Sequence, residues 1–401
     1  MKIVVQKYGG TSVGDIARIK NVANRIIQKK EQGFSPVVVV SAMGNNTDDL
    51  LDLAYQISDN PPKREIDMLI STGEQVSIAL LSMALHELGH DAISLTGHQV
   101  GIKTSGHHTK SKIVDIEDKV LRKHLSDNKI VIVAGFQGSN EDSDITTLGR
   151  GGSDTSAVAI AGKLQCPCEI YTDVDGIYSL DPRMYPKAKK LDAISYEEML
   201  EMASLGAGVM HTRAIELAQK HKISILVASS MENKPGTIIK ESEPGMESAV
   251  ITGLAIDNND ALVTLNNVPY SIGITAEIFE MMAKKDINID MISQTSPKDK
   301  LVNISFTTPK SDLVDTRSIL GFISKKYPQI SFEINENISK LSVVGIGMRS
   351  HSGVAAQIFV LLAKANIEVE MVTTSEIKIS YAIDPKDQQT AVDLIAREFE
   401  L

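Results

Sequence analysis

The chain has 401 residues, more than one hydrophobic core normally serves, so two or three domains are expected. A net charge of −10, 4% aromatic residues and no tryptophan argue against a nucleic-acid binder, which needs a basic face with stacking rings. With 42% hydrophobic residues and no apolar run near the ~20 residues that span a bilayer, a cytoplasmic protein with no membrane partner is expected.

Met1-Lys2-Ile3-Val4-Val5 reads as a short strand followed by polar residues, not as a secretory signal. Up to about residue 240, short β-branched runs alternate with helical periodicity. Strands are predicted over Lys2–Gln6, Pro36–Ser41, Asp91–Leu95, Ile130–Ala134, Glu169–Thr172 and Ser224–Val227. Helices are predicted over Ile16–Glu31, Thr47–Ile57, Ile66–Leu88, Ser153–Gly162 and Thr212–Gln219. The unbroken run Val37-Val38-Val39-Val40 requires burial on both faces, hence a mainly parallel sheet between helical layers, an open α/β/α sandwich. Cys166 and Cys168 flank Pro167, too close for a relaxed disulfide, and read as buried thiols. The polar stretch Lys240–Ser248 marks a domain boundary.

Beyond it the sequence repeats. Residues 273–292 align with 353–372 at Gly273/Gly353, Ala276/Ala356, Ile278/Ile358, Phe279/Phe359, Ala283/Ala363, Lys284/Lys364, Ile287/Ile367 and Met291/Met371. The following strand recurs as Ile304-Ser305-Phe306 against Ile379-Ser380-Tyr381, with five fewer loop residues between. Each copy follows the βαββαβ plan of a ferredoxin-like module. The first copy has a fourth strand near Gln329–Ile334, whereas the second stops in the helix Gln388–Phe399. The spare strand Ala249–Ile256 is therefore expected to complete the second module, because a missing strand leaves a sheet edge uncovered.

Three segments carry chemistry. In Val5-Gln6-Lys7-Tyr8-Gly9-Gly10-Thr11-Ser12, a strand delivers a lysine and then a glycine pair whose N–H groups can face an anion. The spacing is not the G-x-x-x-x-G-K-[ST] of a P-loop. In Leu148-Gly149-Arg150-Gly151-Gly152-Ser153-Asp154, an arginine sits inside a glycine cluster ahead of a small-residue helix, with Ser153 as its natural N-cap. Such an arginine can grip a carboxylate or phosphate with two parallel bonds. The third, Tyr171-Thr172-Asp173-Val174-Asp175-Gly176-Ile177-Tyr178, follows a strand, where open α/β sheets bind ligands. Two lesser stretches are Ser41-Ala42-Met43-Gly44-Asn45-Asn46-Thr47, with Thr47 as a helix cap, and Ser71-Thr72-Gly73-Glu74-Gln75. His86-Glu87-Leu88-Gly89-His90 matches the zinc-protease pattern, but Gly89 reads as a helix-ending glycine that turns His90 away from His86, so no metal site is expected.

Taken together and in this order, the segments KYGGTSV, SAMGNNT, STGEQ, GRGGSDTSA and YTDVDGIYSLDPR, ahead of paired ACT modules, resemble the aspartokinase family over the whole chain. The resemblance implies an amino-acid kinase fold followed by two ferredoxin-like ACT modules. It implies phosphorylation of the L-aspartate side-chain carboxylate by ATP with Mg²⁺, giving 4-phospho-L-aspartate, the entry to lysine, threonine and methionine synthesis. It casts Lys7 and Asp154 as catalytic. It assigns aspartate to Ser41, Thr47, Glu74, Arg150, Gly151, Gly152 and Ser153, and ATP to Lys7, Tyr8, Gly9, Gly10, Ser12, Thr172, Asp173, Tyr178 and Arg183. An effector, lysine or threonine or both, is expected at Gly273, Asn288, Ile289, Asp290 and Gln294, and homo-oligomers through the ACT modules. The implied boundaries are a kinase domain over 1–240, a linker over 241–248, a first ACT module over 257–338 and a second over 249–256 plus 339–401. Met246 in the linker offers a start for a separate regulatory chain.

The chain departs from the family in Ala207-Gly208-Val209-Met210-His211-Thr212, where some members carry a lysine at the position of Gly208 and usually end in proline. In the ACT pair, Glu368-Val369-Glu370 replaces Asn288-Ile289-Asp290 in the second copy, so the two sites need not bind the same amino acid. A kinase for another acidic amino acid and a non-catalytic ACT sensor are the competing readings.

Overall fold

The computed structural model describes residues 1–206, 208–242 and 249–401. Ala207 and most of the expected linker, Met246 included, lie outside the described residues. The chain divides into two compact units. The first draws on Met1–Tyr178, Lys190–Ala203 and Gly208–Gly245, the second on Ser179–Lys189, Ser204–Ala207 and Met246–Leu401.

In the first unit an eight-stranded sheet runs Ala193–Ser195, Thr237–Lys240, Ile225–Ser229, Cys168–Thr172, Lys2–Tyr8, Phe34–Val40, Ile130–Ala134, Ala92–Leu95. Only the Ile225–Ser229 pairing with Thr237–Lys240 is antiparallel among those described. Val37 through Val40 are fully buried, as their apolar run requires. Strand alternation sends Tyr8, Val38, Val40, Ile130 and Ile132 into one core with Ile19, Val22 and Ile26 of the helix Ile16–Glu31 and Leu81 and Leu85 of the helix Thr72–Glu87. Lys7, one residue earlier than Tyr8, faces the opposite layer, where the helix Gly152–Leu164 packs on the strand. Its Ala157–Gly162 stretch is buried throughout apart from a trace at Ala159. Strand order reverses at Lys2–Tyr8, and the parallel register sets Tyr8 beside both Val40 and Tyr171, so three carboxyl ends open at one switch point.

Several expectations need correction. The helix expected over Ile66–Leu88 is two helices, Lys63–Ile70 and Thr72–Glu87. At the break the Ser71 and Thr72 hydroxyls donate to the Met68 and Leu69 carbonyls at 3.0 and 2.6 Å, local bonds that compete with the helical ladder. By length and composition alone, residues 63–87 pass as a membrane-crossing stretch, but half of its apolar 18-residue window is buried, and Leu81 and Leu85 belong to the sheet core. Gly151, at φ 66°, precedes the helix Gly152–Leu164 in place of the expected cap Ser153, and Asn45 takes the position expected of Thr47. A small sheet of Lys112–Ile116, Ile102–Ser105, Gln137–Ser139 and Ile145–Thr147 was not anticipated, since strands of three to five residues carry little periodicity. The helix Thr72–Glu87 closes in a Schellman turn, with Gly89 N–H on the His86 carbonyl at 2.9 Å and His90 N–H on the Leu85 carbonyl at 3.0 Å. His86 Nε2 lies 3.0 Å from the Ala92 carbonyl oxygen.

The second unit holds two four-stranded antiparallel sheets with matching order. The first runs Ile292–Gln294, Leu301–Pro309, Asp260–Pro269, Ser331–Asn335; the other runs Val369–Thr374, Lys378–Ile383, Ser339–Val344, Gly253–Asp257. Gly253–Asp257 thus occupies the edge that Ser331–Asn335 fills in the first sheet, pairing Ala255 with Ser342. The repeat preserves a ring pair: Phe279 meets Phe306 edge-on at 5.8 Å, and Phe359 meets Tyr381 at 5.5 Å. Leu254 is buried with Leu341, Val343, Ile379 and Leu180, the last brought in by the Ser179–Lys189 segment, whose Ser179 carbonyl accepts the Leu254 N–H at 2.7 Å.

Because Leu254 belongs to a strand that precedes the first repeat yet fills the second core, Leu254→Ala is expected to destabilise the second sheet by about 2–4 kcal/mol, read from urea unfolding. A loss below about 0.5 kcal/mol would mean that the strand carries no share of that core.

Candidate active site

Lys7 stands near the end of the central strand and is 8% exposed. Its Nζ lies 2.7 Å from Asp154 Oδ1, in the first turn of the helix Gly152–Leu164. The helix N-terminus supports the carboxylate with its positive end while the ammonium balances its charge. From Tyr8 the chain turns through Gly9, whose N–H donates to the Tyr171 carbonyl at 3.3 Å, into a short helical turn Gly10–Val13. Gly10 is forced by packing, because a Cβ there would sit 2.8 Å from the Ala42 carbonyl oxygen. Ser12 is buried and its Oγ has no hydrogen-bond partner among the described residues, so it is available to a bound group. Tyr8 stacks on Tyr171 at 5.0 Å, which fixes the strand ends against each other.

The neighbouring strand end brings Ser41, whose N–H donates to the Tyr8 carbonyl at 3.1 Å, and Ala42, whose N–H donates to Glu74 Oε1 at 3.1 Å. Glu74 is 2% exposed, and its buried Oε2 has no partner among the described residues. Burial pushes its carboxyl up to about 8, against the weaker opposing pull of backbone N–H groups, so the group is largely neutral at pH 7. A buried, half-satisfied carboxyl of this kind is primed for a cation. Thr47 is half-buried in the first turn of the helix Asn46–Ile57.

Across the site, Gly149 and Gly151 take positive φ of 76° and 66° and bracket Arg150, which is exposed and has no hydrogen bond or ion pair among the described residues. Gly151 has no alternative, since a Cβ there would fall 2.3 Å from His211 Cβ. His211, which the sequence did not single out, has its ring against the Arg150 turn, and its buried Nδ1 has no partner among the described residues. Gly152 begins the helix, and Ser153 is buried against Gly135.

The remaining candidates spread along the segment after Cys168–Thr172. The Thr172 hydroxyl donates to Asp173 at 3.0 Å, and the Tyr178 hydroxyl donates to Asp175 at 2.9 Å. Arg183 falls in the Ser179–Lys189 segment of the second unit, where it holds Asp181 with two parallel bonds and its side chain is 91% exposed.

The amino acid kinase family model matches residues 2–229, and the ACT domain model matches residues 266–320 and 341–399. Aspartokinase 2 of Bacillus subtilis (strain 168) is 48% identical to the chain over 402 residues, covering 100% of the chain and 98% of the relative. The chain belongs to the aspartokinase family. Aspartokinase of Mycolicibacterium smegmatis is 47% identical over 414 residues, covering 100% of the chain and 97% of the relative. Among solved structures, E. coli aspartokinase III in complex with aspartate and ADP superposes with a TM-score of 0.83 at 25% identity, covering 99% of each chain. The same enzyme in complex with lysine and aspartate gives 0.78 at 26% identity, again with 99% of each covered. The activity is that of an aspartate kinase, a phosphotransferase that uses ATP, and the ACT pair fits allosteric control.

In this aspartokinase the expected effector positions fall on the first helix, the connection after it and the edge strand of the first ACT module. Gly273 lies in the first turn of the helix Ile272–Ala283, the Asn288 carbonyl accepts the Thr308 hydroxyl at 2.9 Å, and Ile289 packs on the first ACT core. Asp290 already has a cation: Lys340 of the second module lies 3.0 Å away. Gln294 is exposed on the edge strand Ile292–Gln294.

Glu74 offers a direct check. Its folded pKa is raised above the ordinary carboxylate value, so the folded form binds the extra proton and its stability contribution is lost as pH rises from about 4.5 toward about 8. Glu74→Gln, which is neutral at every pH, is expected to flatten the fall in melting temperature across that window. An identical pH profile in both proteins would show that Glu74 is ionised throughout.

Proposed function

We propose that the strand-end site joins the γ-phosphoryl group of ATP to the side-chain carboxylate of L-aspartate, releasing 4-phospho-L-aspartate and ADP, with Lys7 and Asp154 as its catalytic pair. The observation that carries this reading is the 2.7 Å contact between the Lys7 ammonium and Asp154 at the carboxyl ends of the sheet. The acceptor carboxylate is ionised at neutral pH, so the reaction needs no base to create its nucleophile. The barrier is the approach of an anion to a polyanion, which positioning and charge neutralisation lower. Lys7 serves by bridging the transferring oxygens, and Asp154 holds Lys7 in place.

Arg150 grips the α-carboxylate of aspartate and Glu74 its α-ammonium, with Ser41, Thr47, Gly151, Gly152 and Ser153 around them. Tyr8, Gly9, Gly10, Ser12, Thr172, Asp173, Tyr178 and Arg183 serve the nucleotide. Mg²⁺ would arrive on ATP, held mainly by phosphate oxygens and water. The metal supplies charge neutralisation when bound. An amino-acid effector, lysine or threonine, binds at Gly273, Asn288, Ile289, Asp290 and Gln294, and ACT modules join copies of this cytoplasmic chain into a homo-oligomer. The lysine complex of E. coli aspartokinase III supports the effector reading. The working division is a kinase domain over 1–240, a linker over 241–248, a first module over 257–338 and a second over 249–256 plus 339–401.

Trapping the acyl phosphate as a hydroxamate tests the reading. Product is expected with aspartate and ATP and not with glutamate, with inhibition by lysine or threonine, singly or together; glutamate-dependent product would replace the reading with another acidic amino acid. Lys7→Met is expected to lower kcat at least about 100-fold. Binding of the substrate ammonium requires ionised Glu74, so aspartate affinity should rise up to about tenfold per pH unit from pH 6 toward about 8. Glu74→Gln should remove that slope, and a slope kept by the variant would place the ammonium elsewhere.

A further inference from the structure

Arg150 rides on a turn with two glycines at positive φ and has no partner of its own among the described residues, so something else must hold it on target. The stem of the turn is Thr147-Leu148, which leaves the short strand Ile145–Thr147. Both stem residues are bonded by charged side chains reaching in from other elements.

One is Asp67, on the helix Lys63–Ile70, with no exposed surface. Its carboxylate accepts the Thr147 hydroxyl at 2.5 Å, the His108 Nδ1–H at 2.7 Å, and the Thr109 N–H at 3.0 and 3.1 Å. A buried carboxylate is tolerated only when its lone pairs are met, and these donors all belong to the stem or to the loop beside it. The other is Arg213, on the helix Thr212–His221, whose guanidinium donates to the Leu148 carbonyl at 2.5 Å and the Ser111 carbonyl at 3.0 Å. Ser111 N–H in turn donates to the Thr147 carbonyl at 3.0 Å, closing the bracing between the loop and the stem. Gly149 lies on this loop, since a Cβ there would sit 3.0 Å from the Thr109 carbonyl oxygen.

We infer that Asp67 is a positioning residue for the acceptor amino acid: by tying Thr147 and the His108-Thr109 turn together it fixes the direction in which Arg150 presents its guanidinium. Asp67 does not touch the substrate. Its influence is expected first on acceptor binding, because the groups it holds meet the turn at its Thr147 end beside Arg150, whereas Asp154 and its Lys7 contact stand beyond Gly151 and Gly152, inside the helix Gly152–Leu164. The inference deepens the proposed function and rests on its reading of Arg150 as the grip on the α-carboxylate.

The test is a steady-state comparison of wild type, Asp67→Asn, Thr147→Val and Arg150→Gln, with thermal midpoints measured alongside. Asp67→Asn cannot accept from all three donors, and Thr147→Val removes one of them from outside while leaving the carboxylate in place. The expected result is a KM for aspartate raised about tenfold in Asp67→Asn and about threefold in Thr147→Val, with KM for ATP within twofold of wild type. Unchanged aspartate KM in both, or aspartate and ATP KM rising in parallel, overturns the inference and leaves Asp67 a residue of stability alone. If Asp67→Asn does not fold, Thr147→Val decides by the same criterion. Wild-type enzyme without aspartate turnover would instead fail the proposed function, and Arg150→Gln with wild-type aspartate KM would remove the premise and the inference with it.

Discussion

A lysine ammonium near the end of a fully enclosed strand is stable only if an anion and a set of polar groups replace the water it has lost. In this chain that requirement is met by Asp154, and meeting it constrains much of the first unit. The strand must be central, so that its carboxyl end opens between two neighbours rather than at an edge. The side chain must point to the layer opposite the Tyr8 core, which alternation secures. The anion must come from a helix that starts at that level, and a helix can lie so close to the sheet only if its packing face is small. Ala157 through Gly162 supply that face, and Gly162 admits the His221 ring from the next helix, where a Cβ would come within 2.9 Å of it.

The two carboxyl groups of the site meet opposite surroundings. Asp154 has a cation at contact distance and a helix N-terminus beneath it. Glu74 has only backbone N–H groups, its own and that of Ala42, to set against its burial, and burial prevails and holds its proton on past neutrality. A site arranged in this way carries a fixed charge where phosphoryl oxygens are proposed to bind and a latent one where an ammonium is proposed to bind. The latent charge is exposed only by the ligand that needs it, so the empty site avoids an uncompensated buried anion.

What could be read from the sequence follows the strength of the local signal. Val37 to Val40, the helix Ile16–Glu31 and the internal repeat are long or self-similar, and their places in the fold follow from periodicity and register. The KYGG and GRGGSD segments were legible because glycine, lysine and arginine in turns have few structural uses. Other features depend on tertiary contact. The break at Ser71 comes from two hydroxyls competing for carbonyls, and the short strands around Gln137–Ser139 have no period to detect. Asp67 did leave a trace, a charged residue between the buried Ile66 and Ile70 on the inner face of an amphipathic helix, but its partners lie some forty and eighty residues away. His211 left none, since its role comes from the space that Gly151 vacates.

The second unit repeats the logic of the first on a different scale. Lys340, 3% exposed, starts in the second ACT sheet and reaches Asp260 at 2.5 Å, Asp290 at 3.0 Å and Asp257 at 3.7 Å. Burial opposes its charge, but the bonds to Asp260 and Asp290 outweigh burial and raise its pKa, so the ammonium stays charged. Asp260 belongs to the first sheet, Asp290 just precedes its edge strand Ile292–Gln294, and Asp257 ends the strand Gly253–Asp257 of the second, while Leu262, Met291, Ile338, Met371 and Ala382 form an apolar seam. An ammonium brought to Asp290 therefore meets a carboxylate already shared with Lys340, and with Lys378 at 4.0 Å. It can bind only by joining or redistributing that set, and every redistribution moves a charge that both modules hold in common. Under the proposed effector reading, coupling between the modules is then a consequence of where one buried lysine is placed, with no separate hinge required.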